Sequence, residues 1–101
     1  MQIIAKISDM IEKEIEEAEC YIDAALDYQA EYPDVSGDYV SLAQGNLDRV
    51  TALHNRVVKL IEMERKEHGE PPEMMLKVYE YLHKKHIKKV ADVRRIISEM
   101  R

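Results

Sequence analysis

The sequence predicts an all-α protein, an elongated antiparallel bundle of three long helices forming a single domain over residues 1–101. Only three glycines and three prolines occur in 101 residues, a composition that favours long helices over a turn-rich sheet. Apolar residues recur at steps of three and four through three segments, as they do on one face of a helix. All three prolines lie between these segments, so each proline marks a junction rather than a kink.

The first helix is predicted over about residues 2–32. Its apolar stripe contains Ile4, Ile7, Ile11, Ile15, Ala18, Ile22, Ala25 and Gln29. Pro33 should end this helix, because the residue before a proline is disfavoured in helical geometry. Candidates to cap the next helix through a side-chain oxygen are Asp34, Ser36 and Asp38. The connection is short, which predicts that the first two helices are antiparallel.

The second helix is predicted over about residues 36–68 and the third over about residues 72–100. The second stripe contains Val40, Ala43, Leu47, Val50, His54, Val57 and Ile61. Gly69 can take a left-handed conformation after the second helix, and Pro72 suits the first position of the third. The third stripe contains Met75, Tyr79, Leu82, His86, Val90, Val93 and Ile97.

The apolar stripes are wider than a three-helix bundle needs. Further apolar side chains flank them at Tyr21, Tyr28, Leu53, Leu60 and Met74. Self-association would cover this surplus, most simply as a two-fold homodimer.

Charge is unevenly distributed, although the whole chain carries a net charge of −5. Residues 1–32 contain nine acidic residues and two lysines, a net charge of −7, whereas residues 71–101 contain eight basic and four acidic residues, a net charge of +4. The two ends of the chain are therefore complementary in charge, which favours helix pairing within or between subunits. Nucleic-acid binding is disfavoured, because the basic segment lacks a recognised motif and interleaved aromatic residues.

Cysteine content and hydropathy indicate a soluble protein of the cytoplasm. Cys20 is the only cysteine, so the chain cannot form an internal disulfide. No signal pattern and no apolar run of membrane-spanning length is found, so we expect no membrane association.

Acidic and histidine side chains on or beside the apolar faces are the candidates for a functional site. Glu14 lies beside the first stripe, with Tyr21 two turns further on. On the third helix Glu80 and His83 stand three residues apart, and His86 continues the same side. Carboxylates and imidazoles at this spacing on facing helices are the groups that build di-iron and di-manganese sites in bundles.

Two stretches of sequence resemble ferritin-like helical bundles, including the rubrerythrin group. The segment EIEEAECY, with Glu14 and Tyr21, resembles the first helix of these proteins, in which a ligand glutamate precedes a tyrosine by two turns. The segment LAQGNLDRVTALHNRVVKLI is similar to the second helix, which carries a Glu-x-x-His pair. The resemblance covers about two thirds of the chain and implies a divergent member with an incomplete set of metal ligands.

The departures from that pattern lie at the metal positions. Asn46 and Arg49 stand where the resemblance implies glutamate and histidine, and arginine cannot give up its proton to bind a metal. A ferritin-like centre also uses four helices, so a complete site would need a partner chain. The remaining candidate ligands are Glu14, Glu80, His83 and His86, with His54 as a spare.

Each candidate also has a purely structural interpretation. Glu14 fits an exposed acidic face, His54 and His86 fit packed boundary positions, and Glu80 with His83 fits a solvated helix pair. The Lys84, Lys85, Lys88 and Lys89 cluster is interpreted as a solvated face.

No glycine-rich phosphate loop or nucleophile motif occurs, so nucleophilic and phosphate chemistry find no support. Because the expected ligands are missing at Asn46 and Arg49, the sequence favours a non-enzymatic role with no catalytic residue. We predict a ferritin-like bundle of bacterial or phage origin that has lost its metal, binds no cofactor and acts through contacts with a protein partner. The alternative is a di-metal protein that stores or oxidises iron or removes peroxide, with iron, manganese or zinc in a site completed across a dimer. In the favoured interpretation Arg49 neutralises Glu14 in a buried pair, so Arg49→Ala should destabilise strongly.

Overall fold

The computed structural model describes residues 2–100, which form three helices and, within that range, no strand. These are α1 (Gln2–Tyr28), α2 (Pro33–His68) and α3 (Glu73–Glu99). The molecule measures 56 × 19 × 17 Å, so the prediction of an elongated bundle of three long helices is confirmed.

The α1–α2 junction differs in detail from the sequence prediction. Helix α1 ends at Tyr28, four residues early, and Pro33 begins α2 instead of separating two helices by a longer loop. Proline is tolerated there because the first amide of a helix has no intrahelical acceptor. No side-chain oxygen caps α2 at its N-terminus, so the capping role predicted for Asp34, Ser36 and Asp38 is wrong. The Ser36 hydroxyl instead donates to the Ala25 carbonyl at 2.7 Å, which ties α2 to the last turn of α1.

The α2–α3 junction follows the prediction more closely. Gly69 follows α2 with a φ of 79°, a conformation that residues with a Cβ rarely adopt. Its amide donates to the Arg65 carbonyl at 3.1 Å and so satisfies one of the terminal carbonyls of α2. Helix α3 then starts directly after Pro72.

The hydrophobic core is organised around α1. Every predicted apolar residue of its stripe from Ile4 to Ala25 is buried. One cluster joins all three helices through Ala18, Ile22, Ala43, Leu47, Val93 and Ile97. A second cluster lies nearer the start of α1 and contains Ile7, Ile11, Ile15 and Val50.

The three helices are not equivalent neighbours. Helix α1 packs along α2 and also against α3, whereas the backbones of α2 and α3 come close to each other at very few positions. In a four-helix bundle each helix contacts two neighbours and faces a third across the core. Here α1 has both of its neighbours, and the position opposite α1, between α2 and α3, is open.

Helix α3 is attached mainly through its second half. Its buried residues are His86, Val93 and Ile97, and no residue before His86 is buried. The first half presents apolar side chains to solvent, and Met74 is 74% exposed. Among the described residues, no helix has the length and apolar character needed to cross a membrane.

Candidate functional site

The carboxylate of Glu14 is held by two residues of α2. Asn46 donates through Nδ2 to Glu14 Oε2 at 2.7 Å, and Arg49 Nε lies 3.0 Å from Oε1 and 2.9 Å from Oε2. The two α2 residues are three positions apart, so both project toward the same point on α1. The sequence prediction that Glu14 faces Asn46 and Arg49 is therefore confirmed, and a guanidinium neutralises this carboxylate.

The burial expected for this ion pair is wrong. The side chain of Glu14 is 24% exposed but that of Arg49 is 55% exposed, because Arg49 reaches Glu14 from the solvent side of α2. Asn46, by contrast, is completely buried. Its Oδ1 has no hydrogen-bond partner among the described residues, so one buried acceptor lies unsatisfied at the α1–α2 interface.

A second acidic residue of α1, Glu12, links α1 to α3. Its Oε1 lies 2.9 Å from Lys89 Nζ and 3.5 Å from Lys85 Nζ, and His86 Nε2 donates to Oε2 at 2.8 Å. An ionised carboxylate can only accept, so Nε2 of His86 carries the proton. This cluster is the main polar connection between the two helices.

The charges around Glu12 alter its acidity. The hydrogen bond from Lys89, assisted by His86 and by the positive charges of Lys89 and Lys85, lowers the pKa of Glu12 from 4.5 to about 2 although partial burial opposes the shift. The same contact raises the pKa of Lys89. The Glu12 carboxyl is therefore ionised at every pH well above about 2.

The open position between α2 and α3 forms a groove, which we call the α2–α3 groove. One half has a volume of about 350 Å³ and its lining includes Ser8, Val57, Val58, Ile61, Glu62 and Leu76. The other half has a volume of about 530 Å³ and its lining includes Val50, Ile87, Val90, Ala91, Arg94 and Arg95. The two halves share Ile11 as part of the floor and share three histidines, His54, His83 and His86.

His54 and His83 meet across the middle of this groove. Their ring centroids are 4.3 Å apart and the ring planes differ by 14°, so the imidazoles are stacked. Burial lowers the pKa of His54, and the nearby His83 and His86 lower it further. The pair thus connects α2 to α3 where the two backbones remain apart.

The structure separates the candidate metal ligands into two places. Glu80, His83 and His86 line the same half of the groove, as their spacing predicts. Glu14 does not line the groove and is bound by Asn46 and Arg49. Glu80 pairs with Lys84 at 3.0 Å, and His86 is bound to Glu12. Within residues 2–100 no three histidine, cysteine, aspartate or glutamate side chains are arranged to hold a metal ion.

Sequence reasoning missed the Glu12 cluster. Lys85 and Lys89 are not purely solvated, as the prediction had it, because both contact Glu12. Glu12 follows the core residue Ile11 directly and so lies at the edge of the α1 stripe. That position was a usable signal, but the partners are more than 70 residues away in sequence and no local pattern identifies them.

A tyrosine surface was also missed as a unit. Tyr21 and Tyr28 both stack on Tyr39, with centroid distances of 6.1 and 6.4 Å, and Tyr28 meets Tyr32 edge-on at 6.1 Å. These rings cover the end of the bundle where α1 turns into α2. The periodicity predicted Tyr21 and Tyr28 as surplus apolar positions, but the contacts with α2 depend on the tight turn at Pro33.

The fold and site together define a three-helix bundle in which two α1 carboxylates form ion pairs with the other helices and a histidine-lined groove is left open. Comparisons with protein-family models, with curated proteins and with solved structures find no match for this chain.

Proposed function

We propose that this chain is a non-enzymatic, ferritin-like helical bundle of bacterial or phage origin that acts in the cytoplasm through protein–protein contacts. The contact surface is the α2–α3 groove, and the first occupant is a second copy of the chain. The dimer that results presents the remaining exposed surfaces to a further protein partner.

The observation that carries this proposal is the open fourth position of the bundle. Helix α1 buries its stripe against two neighbours, while the groove between those neighbours keeps apolar walls exposed. Val58 and Ile87 line it from opposite helices and are both more than 40% exposed. Apolar surface of this kind is typical of sites that another protein covers.

The ion pair at Glu14 supports the non-enzymatic role over the di-metal alternative. A carboxylate in a ferritin-like centre is neutralised by the metal ions it binds, and here Arg49 and Asn46 occupy both oxygens of Glu14. Metal analysis of protein purified without chelator tests this choice. Iron or manganese near two ions per chain would reverse it.

Light scattering tests the dimer and the groove together. We expect twice the mass of the chain at micromolar concentration, and Ile87→Glu should shift the protein toward monomer by placing a charge in the interface. Ile3→Glu is the matched control, because Ile3 is 53% exposed against 54% for Ile87 but lies outside the groove. A monomeric wild-type protein, or equal effects of the two variants, would contradict the proposal.

A further inference from the structure

The middle of the α2–α3 groove is marked by two of its three histidines, whose rings stack on each other. His54 projects from α2 and His83 from α3, and both side chains line both halves of the groove. Each is partly exposed, so both imidazoles remain accessible to a molecule that enters the groove. His86 also lines both halves of the groove, but its Nε2 is bound to Glu12 at 2.8 Å, and within residues 2–100 no three side chains are arranged to hold a metal ion.

The two ends of the groove carry opposite unpaired charges. Glu62 lies at one end, and Arg94 and Arg95 lie at the other. All three are exposed, and none has an ion-pair partner in the part of the chain that the structure describes.

Helical spacing allows these charges to meet in an antiparallel pair of chains. Glu62 is eight residues from His54 along α2, or roughly 12 Å, and Arg94 is eleven residues from His83 along α3, or roughly 16 Å. A two-fold axis that lies in the interface and crosses the groove at the histidine pair reverses the direction of the groove in the second copy. Each Glu62 then lies within about 4 Å of the level of the second copy's arginines along the groove. This axis sets α2 against α2 and α3 against α3, so the pair forms diagonally across the groove through the long glutamate and arginine side chains.

From this arrangement we propose that two copies of the chain dock groove to groove about a two-fold axis at the His54–His83 pair, and that the four imidazoles gathered there bind one zinc-class divalent ion. The inference rests on the proposed function, because it specifies the geometry of that dimer. Four nitrogen ligands in tetrahedral geometry suit Zn²⁺, and rotation about the side-chain bonds turns a ring nitrogen of each histidine toward the axis.

This site differs from the ferritin-like centre that the sequence resemblance implies. It uses no carboxylate, it excludes Glu14, and it lies in the α2–α3 groove rather than within the bundle core. The ion would connect α2 and α3 of both copies, so dimer formation and ion binding must strengthen each other by the same factor.

The metal part is tested by titrating Zn²⁺ into protein freed of metal by a chelator, with calorimetry for stoichiometry and light scattering for mass. We expect one ion per two chains and a dimer dissociation constant lowered about tenfold or more, a coupling within the usual range for linked sites. His54→Gln and His83→Gln should each abolish the effect of zinc while circular dichroism shows unchanged helix content. His68→Gln, an exposed histidine outside the groove, is the matched control and should leave the effect intact.

The orientation is tested by charge reversal. Glu62→Arg alone, and Arg94→Glu with Arg95→Glu alone, should each weaken the dimer, and all three substitutions together should restore it. If instead the dimer of the combined variant is weakened by the sum of the separate effects, the antiparallel arrangement is overturned.

The outcomes separate this inference from the function it rests on. A dimer that forms without metal and ignores zinc overturns the ion site and leaves the contact function standing. One ion per chain with no change of mass overturns the shared site as well. A protein that stays monomeric with and without zinc overturns both the site and the proposed dimer.

Discussion

Glu12 makes the most consequential single-residue contact between α1 and α3. Its folded-state pKa is lowered, so its contribution to stability is fully present above the ordinary carboxyl pKa of 4.5 and is lost as the pH falls toward about 2. The shift corresponds to roughly 3 kcal/mol as an order of magnitude, and partial exposure of the side chain reduces it further.

We therefore predict that the free energy of unfolding falls more steeply between pH 4.5 and about 2 in the wild type than in Glu12→Gln. Urea denaturation at a series of pH values measures the difference. Glu31→Gln, which removes an exposed carboxylate without an ion pair among residues 2–100, should keep the wild-type slope. Parallel curves for wild type and Glu12→Gln would show that the Lys89 and His86 contacts do not stabilise the fold.

Arg49 is predicted to matter less than the sequence suggested. Because its side chain is 55% exposed, Arg49→Ala should cost about 1 kcal/mol, near the upper end for exposed pairs and below the 3 to 5 kcal/mol of a buried pair. Thermal or chemical denaturation measures the cost. A loss above 3 kcal/mol would mean that the pair is effectively desolvated.

Asn46 is the buried member of the same site, so its substitution should have the larger effect. Asn46→Asp keeps the shape but places a second carboxylate beside Glu14, and we expect a loss of about 2 to 4 kcal/mol at pH 7. The loss should be smaller at pH 4, where one of the two carboxyls takes up a proton. An equal loss at both pH values would show that repulsion is not the cause.

At the scale of the helices, a hydrogen bond from Ser36 links the beginning of α2 to the end of α1. Its hydroxyl bonds to the carbonyl of Ala25, which lies in the last turn of α1 where carbonyls have no helical partner. Ser36→Ala should therefore lower the free energy of unfolding by roughly 1 to 2 kcal/mol. Ser41→Ala, an exposed serine of the same helix, should change it by only a few tenths. Equal costs would remove any special role for this bond.

Helix α3 should not be equally stable along its length. Residues 73–82 contain no buried side chain, whereas residues 86–97 include all three of its buried positions. We predict that amides of the first segment exchange faster than those of the second, by a factor on the order of ten, under conditions in which the protein is monomeric. Hydrogen exchange followed by mass spectrometry resolves the two segments, and uniform protection would contradict this prediction.

The helices themselves were predictable because each stripe follows the period of the α-helix over seven or more residues. The α1 stripe is buried as predicted. On α2 and α3 the same pattern gives Val57, Ile61, Tyr79 and Leu82, yet these line an open groove instead of a closed core. Periodicity shows which residues share a face, but it cannot show that the face lacks a neighbour.

The site was predictable only in part, for a related reason. Glu14, Asn46 and Arg49 were paired correctly because the resemblance supplied the relative alignment of α1 and α2. No comparable guide existed for α3, so the Glu12 contacts with His86 and Lys89 were missed. The alignment of a third helix depends on how far it slides along the other two, and that is decided by packing across distant parts of the chain.

At the scale of the whole molecule, three passes along a 56 Å rod place Gln2 and Glu99 at opposite ends. The hydrogen bond from Gln29 Nε2 to the Met100 carbonyl marks the end where α1 finishes and α3 finishes beside it. A pulling force applied between the two ends would act along the helix axes. The interfaces would then have to slide as units, with many side-chain contacts resisting at once, instead of peeling apart one turn at a time. Because the number of helices is odd, Gln2 and Glu99 lie at opposite ends of the rod, and tension between them loads the helix interfaces in shear.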